Sequence, residues 1–253
     1  MLAVIGGTGL NDLDKLDGFE RLRTEQLASR YASERVDVGV FAHAGHEFLF
    51  LPRHGKGHVV PPHRINYRAN IDALKSAGAE AIVAMNAVGG IADNLGPGVL
   101  AIPDQIIDYS YGRESCFYLG AGDEVVHCDF AEPYCAVLRE QLIEAAQKVG
   151  AGSAEIVRAG VYGCTQGPRL ETAAEIARMR ADGCTMVGMT GMPEAALARE
   201  AGLSYASLAL SVNWAAGLVK EPITLDEIYA VVAAAEPRLQ QTIAAMVLCL
   251  GKA

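Results

Sequence analysis

Aromatic side chains are scarce in this chain: they make up 6 % of 253 residues, with a single tryptophan. A core built from few large flat side chains and many Ala, Gly, Val and Leu suits close packing of helices on a sheet better than an all-β sandwich. Positive charge is also short. Lys and Arg number 21 against 30 Asp and Glu, a net charge of −9, which argues against a phosphate-backbone footprint and hence against a nucleic-acid partner. No apolar run reaches the length a bilayer requires, so no membrane partner is expected. "MLAV" has neither a basic lead nor a following apolar stretch, so it does not read as a signal peptide. The six cysteines (Cys116, Cys128, Cys135, Cys164, Cys184, Cys249) include no C-x-x-C pair. Their spacing excludes the usual zinc and disulfide frameworks and predicts reduced, mostly buried thiols in a cytoplasmic protein. "HAGH" at His43–His46 lies between two alternating apolar runs and reads as a polar hairpin tip rather than a metal site.

What the chain does have is an alternation of strand and helix signals. Leu2–Ile5 predicts a first strand, and Val36–Phe41 with Glu47–Leu51 a hairpin. "NYRANIDALKSAGA" has helical periodicity and a glycine stop; "EAIVAMNAVGGI" is a buried strand, and "GVLAIPDQIIDY" a further strand with a loop. "YCAVLREQLIEAAQKVG" is an amphipathic helix, "RAGVYGCTQGPR" a strand and turn, and "ETAAEIARMRADG" a helix. "CTMVGMTGMPEAALAREAG" reads strand–turn–helix and "SYASLALSVNWAAG" is the last strand. The chain closes on a helix from Thr224 in which Pro237 predicts a kink or restart. There is no composition break and no internal repeat. The expectation is one α/β domain over residues 1–253, with a central mixed, mainly parallel sheet flanked by helices.

In such sheets function collects at strand ends, and the unusual stretches of this chain are there. "IGGTG" ends the first strand in a glycine turn with one hydroxyl, an arrangement that suits an anion but serves equally as a bare tight turn. It lacks the Lys-Ser/Thr of a Walker A loop and does not fit G-x-G-x-x-G; "DLDKLDGFERLRTEQLASRY", with Gly18 inside it, makes a poor crossover helix. Arg53-His54 in "LPRHGKGH" pairs a group able to grip phosphate bidentately with a histidine that can add a donor. Lys56, His58 and His63 read as rim or structural residues. Asn86 and Ala87 can present a side chain and a backbone N–H. Thr190 can bind an anion, Met189 can floor a sugar or base, and Glu194 reads as either a helix-start charge or a ribose ligand.

"IGGTGL", "PRHGKGH", "NAVGGI", "HCDFAEPYC", "GPRLETAAEI", "GMTGMPEAALARE" and "LSVNW" follow one another in an order that resembles the trimeric purine nucleoside phosphorylase / 5′-methylthioadenosine phosphorylase family. The resemblance runs from Ile5 to about Leu225. It implies attack of inorganic phosphate on C1′ of a purine nucleoside, with phosphate a co-substrate and no metal or organic cofactor. It implies phosphate contacts from Thr8, Arg53, His54, Thr190 and the Ala87 backbone, with Arg53, His54 and Asn213 in the catalytic set. It puts Met189 under the ribose, and Leu170 at a base-stacking position where an aromatic is commoner. It implies a homotrimer in which His127 reaches a neighbour's 5′ pocket.

The family's methylthioadenosine branch carries Asp-x-Asp where this chain reads Ser211-Val212-Asn213. A carboxylate accepts from the 6-amino group of adenine, whereas an asparagine can also donate to a 6-oxo group. Beyond that strand, Ala216, Leu218, Ile223 and Leu225 offer an apolar surface for a methylthio group, although the same residues serve equally as helix-start core. Together these features point to 5′-methylthioinosine, cleaved to hypoxanthine and 5-methylthioribose 1-phosphate. An inosine/guanosine phosphorylase and a methylthioadenosine phosphorylase remain as alternatives within the chemistry. Outside it stand a Rossmann-type oxidoreductase and a non-catalytic nucleoside binder.

Overall fold

β1 (Leu2–Gly6) is buried along its whole length, and its side chains divide by parity between two cores. Leu2 and Val4 face one side of the sheet, Ala3 and Ile5 the other. That is the two-sided burial of an inner strand in a sheet with helices on both faces. The computed structural model describes residues 1–8, 10, 12–120, 122–149 and 156–251. Gly9 of the glycine turn, and Gly150 at the end of one expected helix, lie outside the described residues.

Along the chain come β2 (Glu20–Leu27), β3 (Val36–His43), β4 (His46–Pro52), α1 (Tyr67–Ser76), β5 (Ala81–Gly90), β6 (Leu100–Ala101) and β7 (Gln105–Asp108). They are followed by α2 (Ala136–Val149), β8 (Val161–Cys164), α3 (Ala173–Ala181), β9 (Met186–Gly188), α4 (Glu194–Glu200), β10 (Ser204–Trp214) and α5 (Leu225–Leu250). The sheet has ten strands in the order β2-β3-β4-β1-β5-β9-β8-β7, with β10 beside β5 and β6 beside β10. The centre is parallel: β1 pairs with β4 and β5, and β5 with β10. The β2–β3–β4 flank is antiparallel. The mixed α/β architecture therefore matches the one expected.

One core packs Val4, Phe48, Phe50, Val83 and Leu208 against α2 and α5. The other packs Ile5, Leu49, Leu51 and Ile82 against α1 and α4. Local signals place the helix ends. Asn66 caps α1 by accepting from the Ala69 N–H, and Thr172 and Glu175 form a capping box on α3. His43 pairs with His46 across the two-residue turn Ala44-Gly45, as a hairpin tip requires.

Three elements differ from the sequence reading. The stretch judged a poor crossover helix holds none, and contains instead a strand the sequence reading did not place: β2 adds an exposed edge, led in by Gly18 at φ +83°. "GVLAIPDQIIDY" divides into two short strands, β6 and β7. α5 runs through Pro237 as one 26-residue helix without a restart, its packed face holding it against β10 and α2.

Candidate active site

The parallel strands end at a common cavity of about 570 Å³, a size that holds a small ligand. β1 delivers Thr8, β4 delivers Arg53 and His54, and β5 contributes Ala87. The β9–α4 turn adds Met189 and Thr190, and β10 adds Asn213. Leu170 enters from the loop before α3, and Ile223 and Leu225 from the start of α5. Nine of the eleven residues expected at the site from the sequence thus share one cavity.

Arg53 is almost wholly buried. Its Nε donates to Glu194 Oε2 at 3.0 Å, its Nη2 to Glu194 Oε1 at 2.8 Å and its Nη1 to the Met85 carbonyl at 2.5 Å. The Tyr205 hydroxyl donates to Glu194 Oε1 at 2.8 Å. Burial is the largest influence and works against the Arg53 charge, but the paired Glu194 carboxylate together with Tyr205 and Tyr67 holds the guanidinium above its ordinary value. Gly7 makes this approach possible. A Cβ there would lie 2.6 Å from the Met85 oxygen and 2.7 Å from Arg53 Nη1. Glu194 stands in the first turn of α4, as the helix-start reading expects, and its carboxylate is the buried counterion of Arg53; it is not among the residues on the cavity wall, where a ribose ligand would lie.

The donor expected of His54 is already committed. Its Nδ1 lies 2.8 Å from the Val60 carbonyl, which can only accept, so Nδ1 carries the proton. Burial pushes the imidazole down to about 4, with Arg53 and the stacked His58 ring, 4.2 Å away, acting in the same direction. Asn86 does not present its side chain to the cavity. It is buried in the sheet, where Ser207 Oγ donates to its Oδ1 at 2.7 Å and its Nδ2 donates to Thr190 Oγ1 at 2.8 Å. Thr190 is thereby fixed through the strands behind it.

Two expected residues stand apart. Ser211 is fully buried and donates to the Leu95 carbonyl at 2.7 Å; this turns it away from the cavity, and the substrate contact expected of it is corrected. His127 is exposed on the β7–α2 connection and is not on the cavity wall of its own chain. Asn213 is half-buried on the wall, and its Nδ2 donates to the Trp214 carbonyl at 2.6 Å. That bond orients the amide and leaves Oδ1 and one N–H for a ligand. Of the apolar residues after β10, Ala216, Ile223 and Leu225 reach the wall, whereas Leu218 packs against a separate cluster around Ile91 and Ile176.

A family model described as the phosphorylase superfamily matches residues 2–248. The chain belongs to that superfamily. A relative from Xanthomonas campestris pv. campestris, named as a probable S-methyl-5′-thioinosine phosphorylase, is 52 % identical over 96 % of this chain and 95 % of its own. A 6-oxopurine nucleoside phosphorylase from Pyrococcus furiosus is 44 % identical over 90 % of this chain and 84 % of its own. Among solved structures, methylthioadenosine phosphorylase from Schistosoma mansoni in complex with adenine superposes with a TM-score of 0.91 at 30 % identity, covering 100 % of this chain and 92 % of that one.

Two further residues of this phosphorylase escape a reading of the sequence. Glu171 lies on the wall, and its Oε1 accepts from the Thr165 hydroxyl at 2.7 Å. Arg113, on the β7–α2 connection, donates to the carbonyls of Met189 (2.9 Å), Thr165 (3.0 Å) and Gln166 (2.8 Å) and to that of Met192. It ties the turn bearing Met189 and Thr190 to the strand exit after β8. A lone arginine in a polar loop carries no local signal of such a role; these four carbonyls lie more than fifty residues away in sequence.

Proposed function

We propose that the protein phosphorolyses S-methyl-5′-thioinosine, releasing hypoxanthine and 5-methylthioribose 1-phosphate. Purine nucleoside phosphorolysis follows from the family and the fold; the choice of nucleoside rests on the site. The observation that carries it is the co-location, on one cavity wall, of Thr8, Arg53 and Thr190, the oriented Asn213 amide, and the apolar start of α5. Phosphate is held by the two hydroxyls, by the guanidinium N–H groups that neither Glu194 nor the Met85 carbonyl engages and by the Ala87 backbone, so that one of its oxygens faces C1′. Met189 floors the ribose, and Leu170 lies against the base. As the C1′–N9 bond breaks, electrons pass to the purine. Asn213 Oδ1 accepts from a ring N–H and its remaining N–H donates to O6, which stabilises the leaving group. Glu171, an acceptor when ionised, suits a second ring N–H. Ile223 and Leu225 receive the methylthio group. The names of the relatives support the same substrate class.

The proposal includes a cytoplasmic homotrimer. The six thiols are free, no helix among the described residues is long and apolar enough to cross a membrane, and His127 is exposed, as a role in a neighbour's site would require. Sedimentation velocity tests the assembly, and a monomer removes the role proposed for His127. The substrate is tested by comparing kcat/KM for methylthioinosine, inosine and methylthioadenosine with and without phosphate. Base release independent of phosphate rejects the reaction; a leading kcat/KM for inosine or methylthioadenosine rejects the substrate.

A further inference from the structure

The His54 ring has two nitrogens and one of them is decided. Nδ1–H points at the Val60 carbonyl at 2.8 Å, an oxygen that offers no proton in return. His54 is only 5 % exposed yet lines the cavity, so Nε2 is the ring nitrogen available to a ligand there. In the neutral ring Nε2 is a lone pair. We infer that His54 Nε2 accepts a hydrogen bond from the bound anion itself, so that the cavity selects an oxyanion that carries a proton, such as hydrogen phosphate, over one that carries none, such as sulfate.

Three features support the neutral ring. Burial disfavours the imidazolium and pushes the group down to about 4, against the pull of the Val60 bond. Arg53, next in sequence, opposes a second positive charge, and His58 stacks on the ring at 4.2 Å and is itself lowered, chiefly by burial and then by Arg53. Glu171 and Tyr229 are the other titratable side chains on the wall. Hydrogen phosphate presents a P–OH to Nε2 and bare oxygens to the hydroxyl and guanidinium donors, so every contact has a donor and an acceptor. Sulfate at neutral pH presents only lone pairs. It binds either with two lone pairs opposed or after His54 has taken a proton from solvent.

The inference rests on the reading that this cavity binds phosphate, and the test separates the two. Inorganic phosphate and sulfate are titrated into the full-length protein by calorimetry at constant ionic strength, from about pH 7.5 down to about 5. Phosphate is expected to bind about tenfold or more tighter than sulfate near pH 7, and the ratio to shrink as the pH falls and His54 can be protonated. His54→Gln, whose amide can rotate to donate an N–H, is expected to bring the ratio toward unity. The wild-type pH series stands without the variant, should the variant fold poorly. Equal affinity for the two anions near pH 7, a ratio independent of pH, or a wild-type ratio in folded His54→Gln overturns the acceptor role and leaves the phosphate site intact. If neither anion binds the wild-type protein, the phosphate site and the acceptor role fall together.

Discussion

Glu194 holds Arg53 by two parallel hydrogen bonds, Nε to Oε2 at 3.0 Å and Nη2 to Oε1 at 2.8 Å, with both side chains 1 % exposed. The planar fork of the guanidinium is fixed before any ligand arrives, and its charge is matched by a carboxylate. Removing one partner of such a pair leaves the other charged and buried, which costs about 3–5 kcal/mol. Arg53→Ala is therefore expected to lower the urea midpoint as well as activity, and its inactivity alone does not report on the anion. Arg53→Lys keeps the charge but not the fork; it is expected to retain more stability and still raise the KM for phosphate. Urea unfolding and phosphate kinetics on both variants check this. An Arg53→Ala protein as stable as wild type contradicts the pairing.

Gly7→Ala acts on the same pair from the opposite side. The added Cβ meets the Met85 carbonyl oxygen at 2.6 Å and Arg53 Nη1 at 2.7 Å, closer than nonbonded atoms pack. Moving Arg53 relieves only the second contact; the first is relieved only if the Gly7 turn shifts away from β5, so both the guanidinium and the turn leading to Thr8 are displaced. The expected result is a raised KM for phosphate and a lowered kcat, with far-UV circular dichroism unchanged because the strand remains. Wild-type phosphate kinetics in this variant would show that Nη1 need not lie where Gly7 permits it.

The strands and their glycine exits were legible because their signals are local. "LAVIGG" is a buried run meeting a turn, and Thr8, Arg53 and Thr190 stand at such exits. The resemblance to known phosphorylases supplied Leu170 and His127, whose residue types say little by themselves, and gave definite roles to Ala87 and Met189, which stand at strand exits. What stayed hidden depends on partners distant in sequence. Glu194 and Arg53 are 141 residues apart, and nothing around either marks the pair. Ser211 looked like a base ligand by analogy with Asp-x-Asp, but the irregular pairing of β10 with β5 between Ser211 and Asn213 accompanies a turn of its hydroxyl onto Leu95. The tautomer of His54 depends on Val60, brought back by the tight loop through Gly55 and Gly57, both at positive φ. Such relationships are set by three-dimensional packing, which periodicity and motif spacing do not encode.

The buried neutral His54 also links stability to pH. An unfolded histidine titrates near its ordinary 6.5, the native one near about 4. Between those values the unfolded chain holds a proton that the native chain lacks, so stability rises with pH across that window. The contribution is complete above 6.5 and is lost as the pH falls toward 4, amounting to at most about 3 kcal/mol. His58, lowered in the same direction, adds to the slope. Urea midpoints from about pH 7.5 to about 5 should fall in wild type and fall less steeply in His54→Gln. Parallel curves for the two proteins would mean that His54 is not held neutral by the fold.

The proposed substrate choice turns on Asn213. Its Nδ2 donates to the Trp214 carbonyl at 2.6 Å, which fixes the amide and leaves Oδ1 as the acceptor for a purine ring N–H. With a 6-oxopurine, the second amide N–H meets O6. With adenine it meets the 6-amino group, and rotating the amide to relieve that clash breaks the Trp214 bond. A buried hydrogen bond lost in this way costs about 1–3 kcal/mol, so methylthioinosine should exceed methylthioadenosine in kcat/KM by roughly ten- to a hundredfold. Asn213→Asp replaces the donor with an oxygen that repels both O6 and the Trp214 carbonyl. The carboxylate must turn away from Trp214, so total activity is expected to drop while the preference moves toward the adenine nucleoside. Adding Ser211→Asp is not expected to move it further, because Ser211 lies off the wall and bonds to Leu95; the buried carboxylate so introduced should instead lower stability. Paired kcat/KM ratios for the two nucleosides check each step. An Asn213→Asp variant that loses activity equally on both would place base selection elsewhere, with Glu171 the next residue on the wall to substitute.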